Sequence, residues 1–127
     1  MQPHPEGGWY AETWRDTTQP RASGTAIYFL LEAHQHSHWH RVDSAEIWHW
    51  YAGSPMQLHQ YDGESSRVDI LGPDITASQR PQLIVPQNIW QKSVPIGGWV
   101  LVGCTVSPGF EFSGFELAPD GWQPHIE

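Results

Sequence analysis

The sequence predicts an all-β domain built as a jelly-roll sandwich or barrel, and three observations support this fold class. Aromatic residues, which favour strands, make up 13% of the 127 residues. In addition, 12 glycines and 11 prolines punctuate the chain at short intervals, as a series of turns requires. No segment shows the long apolar period of a helix. About ten short strands joined by turns are typical of β-sandwiches and barrels.

The predicted strands follow one another with turn residues between most neighbours. The run Thr25–Leu31 is β-branched and aromatic, which is typical of a buried strand, and the most apolar strand, over residues 99–106, follows two glycines. The other strands are predicted over residues 10–15, through His38 and His40, and over residues 46–51, 56–61, 67–71, 83–85, 89–93 and 110–117. No linker or repeat divides the chain, so we expect a single domain over residues 1–127 with its core at about 4–118.

Composition and charge exclude several kinds of partner. The formal charge of −8, from 14 acidic and 6 basic residues, argues against nucleic acid or an anionic membrane surface. No stretch is apolar enough to span a bilayer, and the N-terminus lacks the pattern of a signal peptide. Cys104 is the single cysteine and lies in an apolar run, so we expect an inert buried thiol in a reducing compartment. The expected location is cytoplasmic.

A group of chemistry-bearing residues follows between positions 38 and 53. His38 and His40 lie two residues apart, so on a strand they face the same side. A short turn then returns the chain, which brings Glu46 beside them, and Gly53 closes the next turn. Two imidazoles and a carboxylate that converge from neighbouring strands are the donors of a facial triad for a divalent transition metal.

Several motifs resemble those of the small single-domain cupins, a family long labelled as having unknown function. The spacing from His38 to Gly53 is that of the first cupin motif, with one extra residue before the glutamate. The segments His-Pro-Glu-Gly-Gly at 4–8 and Gly-Cys-Thr-Val-Ser-Pro-Gly-Phe at 103–110 extend the likeness over most of the chain. The resemblance implies a cupin-type double-stranded β-helix (jelly-roll barrel), usually a homodimer, with a small-molecule pocket between its sheets.

One stretch departs from the cupin pattern. A second cupin motif normally supplies a further metal-binding histidine, whereas this chain has Gln91 at that position and Asn88 in place of a glycine. Gln91 offers only a neutral amide oxygen, which is a weaker ligand than imidazole. No cofactor is therefore certain. If a divalent transition metal such as Fe, Mn, Ni or Zn binds, the expected ligands are His38, His40, Glu46 and Gln91.

Aromatic residues near this group are candidates for the pocket wall. Trp48 and Trp50 share the strand parity of Glu46, and Tyr28 lies in a neighbouring predicted strand. Aromatic walls suit a sugar ring or another flat ligand through stacking. The same residues would equally serve as ordinary core, which is the more frequent role of such side chains.

The remaining polar residues are expected either in the pocket or elsewhere, depending on their position relative to the motifs. Glu12 follows the His-Pro-Glu-Gly-Gly segment, which in the family lies close to the pocket or the dimer partner, and Gln82 and Gln91 are candidate polar anchors for a ligand. His49 follows the glutamate of the motif by three residues, so it faces the opposite side and is expected to be structural. His4 has no partner at a useful spacing, and we expect it at the surface or in a turn.

Three functions remain open at this stage. The first, which we favour, is a cupin that binds or converts a small polar or sugar-derived metabolite, with His40 and Glu46 as the acid/base pair of an epimerase or isomerase. The second is a metal-dependent cupin, such as a dioxygenase or a metal-assisted isomerase. The third is a non-catalytic dimeric binding module. The missing second-motif histidine favours the first over the second.

Overall fold

The computed structural model describes residues 1–124 of the chain and confirms the all-β prediction. Within these residues the strands form two antiparallel sheets, and two short 3-10 turns lie at Ile75–Ala77 and Phe112–Gly114. The strands are β1 (Gln2–Pro3), β2 (Trp9–Arg15), β3 (Thr25–Leu31), β4 (His40–Val42), β5 (Ala45–Gly53), β6 (Met56–Tyr61), β7 (Ser66–Leu71), β8 (Gln82–Val85), β9 (Trp90–Pro95), β10 (Val100–Ser107) and β11 (Phe115–Leu117).

The order of the strands gives a double-stranded β-helix. The six-stranded sheet has the order β1-β2-β3-β10-β5-β8, and the five-stranded sheet has the order β11-β4-β9-β6-β7. From β3 onward the chain passes from one sheet to the other at every connection except the β6–β7 hairpin. This alternation winds both sheets around one interior, which is the architecture of a jelly roll.

The interior is apolar at one end and polar at the other. Alternate residues of each strand point inward, as the period of two requires. At the apolar end both sheets contribute fully buried side chains, which form one core cluster: Phe29, Leu31, Trp48, Met56, Leu58, Leu71, Val85, Val100, Val102 and Cys104. Strand β5 joins the two ends: its inward residue at the polar end is the buried Glu46, and Trp48 follows in the core. The fold therefore delivers a carboxyl group to the interior beside a packed core.

Two predicted strands are shorter than the sequence indicated, and one strand was missed. The strand predicted through His38 and His40 begins only at His40, because the His38 amide donates to the carbonyl of Glu6 rather than to a sheet neighbour (2.6 Å). The strand predicted over 110–117 is interrupted by a 3-10 turn, so only Phe115–Leu117 is extended. The short β1 was not predicted. No helix within residues 1–124 is long and apolar enough to cross a membrane.

The turn after β5 depends on Gly53, which the sequence singled out. Its φ of +91° lies in the left-handed region, and a Cβ there would lie 2.3 Å from the carbonyl oxygen of Trp99. Gly63 also has a positive φ (+102°), but a Cβ there would meet nothing within 4 Å. The two positions share the conformational strain and differ in the steric clash.

We expect Gly53→Ala to lower the free energy of unfolding more than Gly63→Ala does. Backbone strain alone costs roughly 1–3 kcal/mol, and the clash with Trp99 adds to this cost only at position 53. Urea unfolding of both variants beside the wild type measures the difference. Equal losses in the two variants would show that the approach of Trp99 does not constrain the turn.

Candidate functional site

A narrow pocket opens between the sheets at the polar end of the interior. Its volume is about 50 Å³. Since one ordered water needs roughly 10–15 Å³ of such space, the pocket admits a group of only a few heavy atoms. Its apolar walls include Tyr10, Ile27, Val42, Val106, Phe110 and Phe112. Its polar lining includes His4, Glu6, Glu12, Arg15, Glu46 and Cys104.

Glu46 is held in the interior by a hydrogen-bonded chain that crosses between the sheets. The amide nitrogen of Gln91, on β9, donates to Glu46 Oε1 (2.8 Å). The amide oxygen of Gln91 accepts from the indole Nε1 of Trp48 (2.9 Å). Burial raises the pKa of Glu46 to about 7, although the hydrogen bonds from Gln91 and Cys104 oppose the rise. At neutral pH this carboxyl group therefore exists in both protonation states.

A second carboxyl group, that of Glu6, enters the pocket from residues 1–8, which we call the N-terminal arm. The arm pairs with β2 through β1, and its Glu6 carbonyl accepts from the His38 amide. The Glu6 side chain lies between two imidazoles: Oε1 is 3.3 Å from Nδ1 of His4, and Oε2 is 3.4 Å from Nε2 of His40. Oε2 is buried and makes no hydrogen bond.

The pKa of Glu6 is raised well above its usual range. Burial is the main cause, and the nearby negative charge of Glu46 adds to it. Two carboxyl groups that share one buried space cannot both ionise at low cost, so one of them keeps its proton at neutral pH. An ionised Glu46 therefore favours the protonated form of Glu6.

His40 contacts this carboxyl group with a nitrogen that carries a lone pair. Its Nδ1–H donates to the carbonyl of His38 (2.7 Å), which leaves Nε2 unprotonated and facing Glu6. The ring is buried and stacks on Phe115 with a centroid distance of 5.5 Å. Burial lowers the pKa of His40 to about 4, so the imidazole is neutral at pH 7. His40 does not line the pocket itself and communicates with it through Glu6.

His4 is buried in the site, which corrects the expectation of a surface position, whereas the expected turn is present, since the His4 carbonyl accepts from the Gly7 amide (2.9 Å). Its Nδ1 accepts from the Glu6 amide (3.1 Å), and its ring lies among aromatic rings, with Tyr10 4.7 Å and Phe115 5.9 Å away. Burial, and then the charge of His40, lower its pKa to about 4. Spacing gave no signal for His4 because the phenylalanine rings that bury it, such as Phe29 and Phe115, come from distant parts of the chain.

The four predicted metal ligands are not brought together. His38 is exposed, and its ring contacts that of His36 at 5.4 Å rather than Glu46. Gln91 presents its amide nitrogen to Glu46, because its oxygen accepts from the tryptophan indole. Within residues 1–124 no group of three or more His, Cys, Asp or Glu side chains is arranged to hold a metal ion. The predicted ligand set therefore does not fit a metal.

The predicted wall residues divide between the pocket, the core and the outer surface. Glu12 lines the pocket, where it forms a bidentate ion pair with Arg15 (2.9 and 2.8 Å). Trp48 is buried in the core, and Trp50 packs against it with Nε1 donating to the carbonyl of Ser54 (3.0 Å). Neither tryptophan lines the pocket, so for both of them the core role is the one the structure shows.

Tyr28 and Gln82 lie on the outer face of the six-stranded sheet, away from the pocket. The inward positions of β3 are odd-numbered, so Tyr28 points outward and is 46% exposed. Gln82 is exposed and approaches Nδ1 of His49 (3.4 Å). His49 also contacts Oγ1 of Thr105 (3.1 Å). As expected from parity, His49 faces away from the pocket.

Cys104 lies on the wall of the pocket beside the core. Burial raises the pKa of its thiol well above the usual range, and the charges of Glu46 and Glu6 raise it further. A protonated thiol is a poor nucleophile. Cys104 therefore behaves as the inert buried thiol that the sequence indicated.

Comparison with known proteins identifies the family. The family described as "Cupin superfamily (DUF985)" matches residues 1–118. The chain belongs to this cupin family. No curated protein matches the chain. The match includes the His-Pro-Glu-Gly-Gly segment, from which the cupin places His4 and Glu6 in its pocket.

Solved structures support the same assignment. Protein SO0799 from Shewanella oneidensis is 38% identical, with 92% of this chain and 77% of that chain covered and a TM-score of 0.88. A hypothetical protein from Leishmania major is 32% identical, with 92% and 81% covered and a TM-score of 0.84. An uncharacterized conserved protein with a double-stranded β-helix domain from Klebsiella pneumoniae is 15% identical (94% and 90% covered, TM-score 0.67), which shows a shared fold.

We expect the stability gained by Glu46→Gln to grow as pH rises. The pKa of the folded-state carboxyl, about 7, lies above the ordinary value of 4.5, so its favourable contribution is complete below pH 4.5 and is lost as pH rises through 7. The free energy of unfolding of the variant, relative to wild type, should increase by up to about 3 kcal/mol over that range. Urea unfolding at several pH values measures this, with exposed Glu64→Gln as control. A pH-independent difference would contradict the raised pKa.

Proposed function

We propose that this cupin binds a small polar molecule in the pocket and moves protons on it, as an epimerase or isomerase does. The observation that carries the proposal is the pair of buried carboxyl groups, Glu6 and Glu46, that face one small cavity with different proton affinities. Environments that push two neighbouring pKa values apart assign one group as acid and the other as base. The pair thus supplies both partners of a proton transfer at neutral pH.

Glu46 is the proposed base. Its pKa of about 7 leaves a substantial fraction ionised at neutral pH, and a base with a pKa near the working pH is the most effective. Gln91 and the Cys104 thiol both hydrogen-bond to Glu46, which fixes the orientation of the carboxylate on the pocket wall. The aromatic and aliphatic walls limit water in the cavity, which strengthens interactions with the reacting group.

Glu6 is the proposed acid, with His40 as its positioning residue. The sequence paired His40 directly with Glu46, whereas the geometry supports a role for His40 through Glu6. The neutral Nε2 of His40 faces Oε2 of Glu6 and orients the protonated carboxyl group, which keeps its proton until the substrate takes it. An isomerisation of this kind takes one proton onto Glu46 and gives one from Glu6, so it needs no oxidant or co-reactant.

We also propose that the cupin is a homodimer and that a second copy covers the outer face of its six-stranded sheet. Tyr28, Tyr51 and Ile84 are large, exposed and apolar, and they lie on β3, β5 and β8 of that face, with the rings of Tyr28 and Tyr51 6.0 Å apart. Such a patch marks an interaction surface. None of these three side chains is charged at neutral pH, and an uncharged face lets two copies of a chain with charge −8 meet without strong repulsion.

The catalytic proposal is tested by exchange of hydrogen with solvent. Small polyols, amines and hydroxy acids are incubated with untagged cupin in D₂O, and loss of a carbon-bound proton is followed by NMR. We expect exchange in one compound, slowed roughly 10²–10⁴-fold in Glu46→Gln and unchanged in the exposed control Glu64→Gln. Exchange at the wild-type rate in Glu46→Gln would refute the role of this base. Elemental analysis of the same protein and of His40→Ala reports any metal contribution.

The dimer is tested by charge substitution on the outer face. We expect light scattering to give a dimer mass for wild type and a monomer mass for Ile84→Arg, because a buried guanidinium without a partner is costly. Ile75→Arg is the control, since Ile75 is equally exposed (63% against 60%) but lies in a 3-10 turn away from this face. A monomeric wild type, or a dimer that survives Ile84→Arg, would rule out this interface.

A further inference from the structure

Carboxyl groups dominate the polar lining of the pocket. Glu6, Glu12 and Glu46 contribute carboxyl groups, and Arg15 is the cationic residue among the described residues that line the pocket. Arg15 is already neutralised, because it binds Glu12 at both oxygens and donates to the carbonyl of Phe110 (3.0 Å). The inner part of the pocket therefore contains two carboxyl groups and no free cation.

One of these carboxyl groups offers an unused acceptor. Glu6 Oε2 is buried without a hydrogen bond, and Glu46 uses Oε1 for the contact with Gln91. An anionic ligand would lie close to both carboxyl groups and would be repelled by the ionised form of Glu46, strongly so because water is excluded. A ligand that carries N–H donors or positive charge would instead satisfy them.

The walls add a second feature that favours a cation. Tyr10, Phe110 and Phe112 line the cavity, and the rings of Phe110 and Phe112 meet nearly at right angles (85°) with centroids 5.0 Å apart. Aromatic rings attract ammonium groups through their quadrupoles, and cages of such rings bind methylated ammonium ions. Phe112 is 54% exposed, so it stands at the mouth, where the remainder of a longer ligand would leave the pocket.

We propose that the ligand group recognised by this pocket is a small alkylammonium ion. This inference rests on the proposed function, because it names the substrate class of the same pocket. The pocket volume of about 50 Å³ accommodates a head group of a few heavy atoms, which matches an ammonium with methyl substituents and excludes a whole sugar ring. The net charge of −8 raises the local concentration of cations around the protein.

The test compares three probes of similar size and different charge. Tetramethylammonium, neutral tert-butanol and acetate are titrated into the untagged full chain by calorimetry at pH 8 and constant ionic strength. We expect saturable binding of tetramethylammonium alone, with the millimolar dissociation constant of a ligand with few heavy atoms. Binding of acetate or tert-butanol as tightly as tetramethylammonium, or no saturable binding of the cation, would overturn the proposal.

Variants locate the binding. Glu46→Gln is expected to weaken tetramethylammonium binding at least tenfold, and Phe112→Leu severalfold, while the exposed control Glu64→Gln leaves it unchanged. Circular dichroism verifies that each variant is folded. Unaltered affinity in Glu46→Gln would place the cation elsewhere and refute the assignment. Cation binding without solvent exchange would refute only the proton transfer, whereas exchange in a compound without an amine would refute only the ligand class.

Discussion

The side chain of Gln91 spans the interior from one sheet to the other, and both ends of the molecule depend on it. On one side of this amide lies the apolar core, and on the other side lies the pocket. Its nitrogen is committed to Glu46 and its oxygen to Trp48, so neither buried polar group lacks a partner. A buried carboxyl group without such a partner would be costly. The bridge therefore lets a polar cavity exist directly beside a packed core.

The same bridge determines which atoms of the pocket are free to react. Because Gln91 and Trp48 satisfy each other and one oxygen of Glu46, the carboxyl oxygen left without a hydrogen bond in the pocket is Oε2 of Glu6, beside His40. His40 in turn is oriented by the carbonyl of His38, which fixes its tautomer. In such a buried cluster the lowest-energy state has neutral imidazole rings and one proton shared by the two carboxyl groups. The chemistry of the site follows from this distribution of protons.

The sequence was sufficient for the architecture because strand periodicity is local. The strands Thr25–Leu31 and Met56–Tyr61 have the predicted bounds, and parity correctly placed Glu46 inward and His49 outward. The alternation of β3 also places Tyr28 outward, because its buried positions, Phe29 and Leu31, are odd-numbered. The shortened strand at His38 could not be foreseen, because its amide is taken by the N-terminal arm.

The polar centre of the site was only half predictable. Glu46 and Gln91 were identified from motif spacing, whereas His4 and Glu6 were not assigned to the site. The contact of Glu6 with His40 joins segments more than thirty residues apart in sequence, and no local pattern reports such a pairing. A signal was nevertheless present, since the His-Pro-Glu-Gly-Gly segment carries both residues. The placement of the predicted metal ligands could not be read from sequence for a similar reason: which end of the Gln91 amide faces the carboxyl group depends on the tertiary position of Trp48.

Local opening of the N-terminal arm lowers the apparent affinity of the pocket for a ligand. Its β1 is only two residues long and pairs with one edge of the six-stranded sheet. Segments with so short a ladder open locally at a lower free energy than a core strand does. When the arm opens, Glu6 and His4 leave while the core remains folded. A ligand that contacts Glu6 therefore binds only the closed population, and its apparent dissociation constant is the intrinsic value divided by the closed fraction.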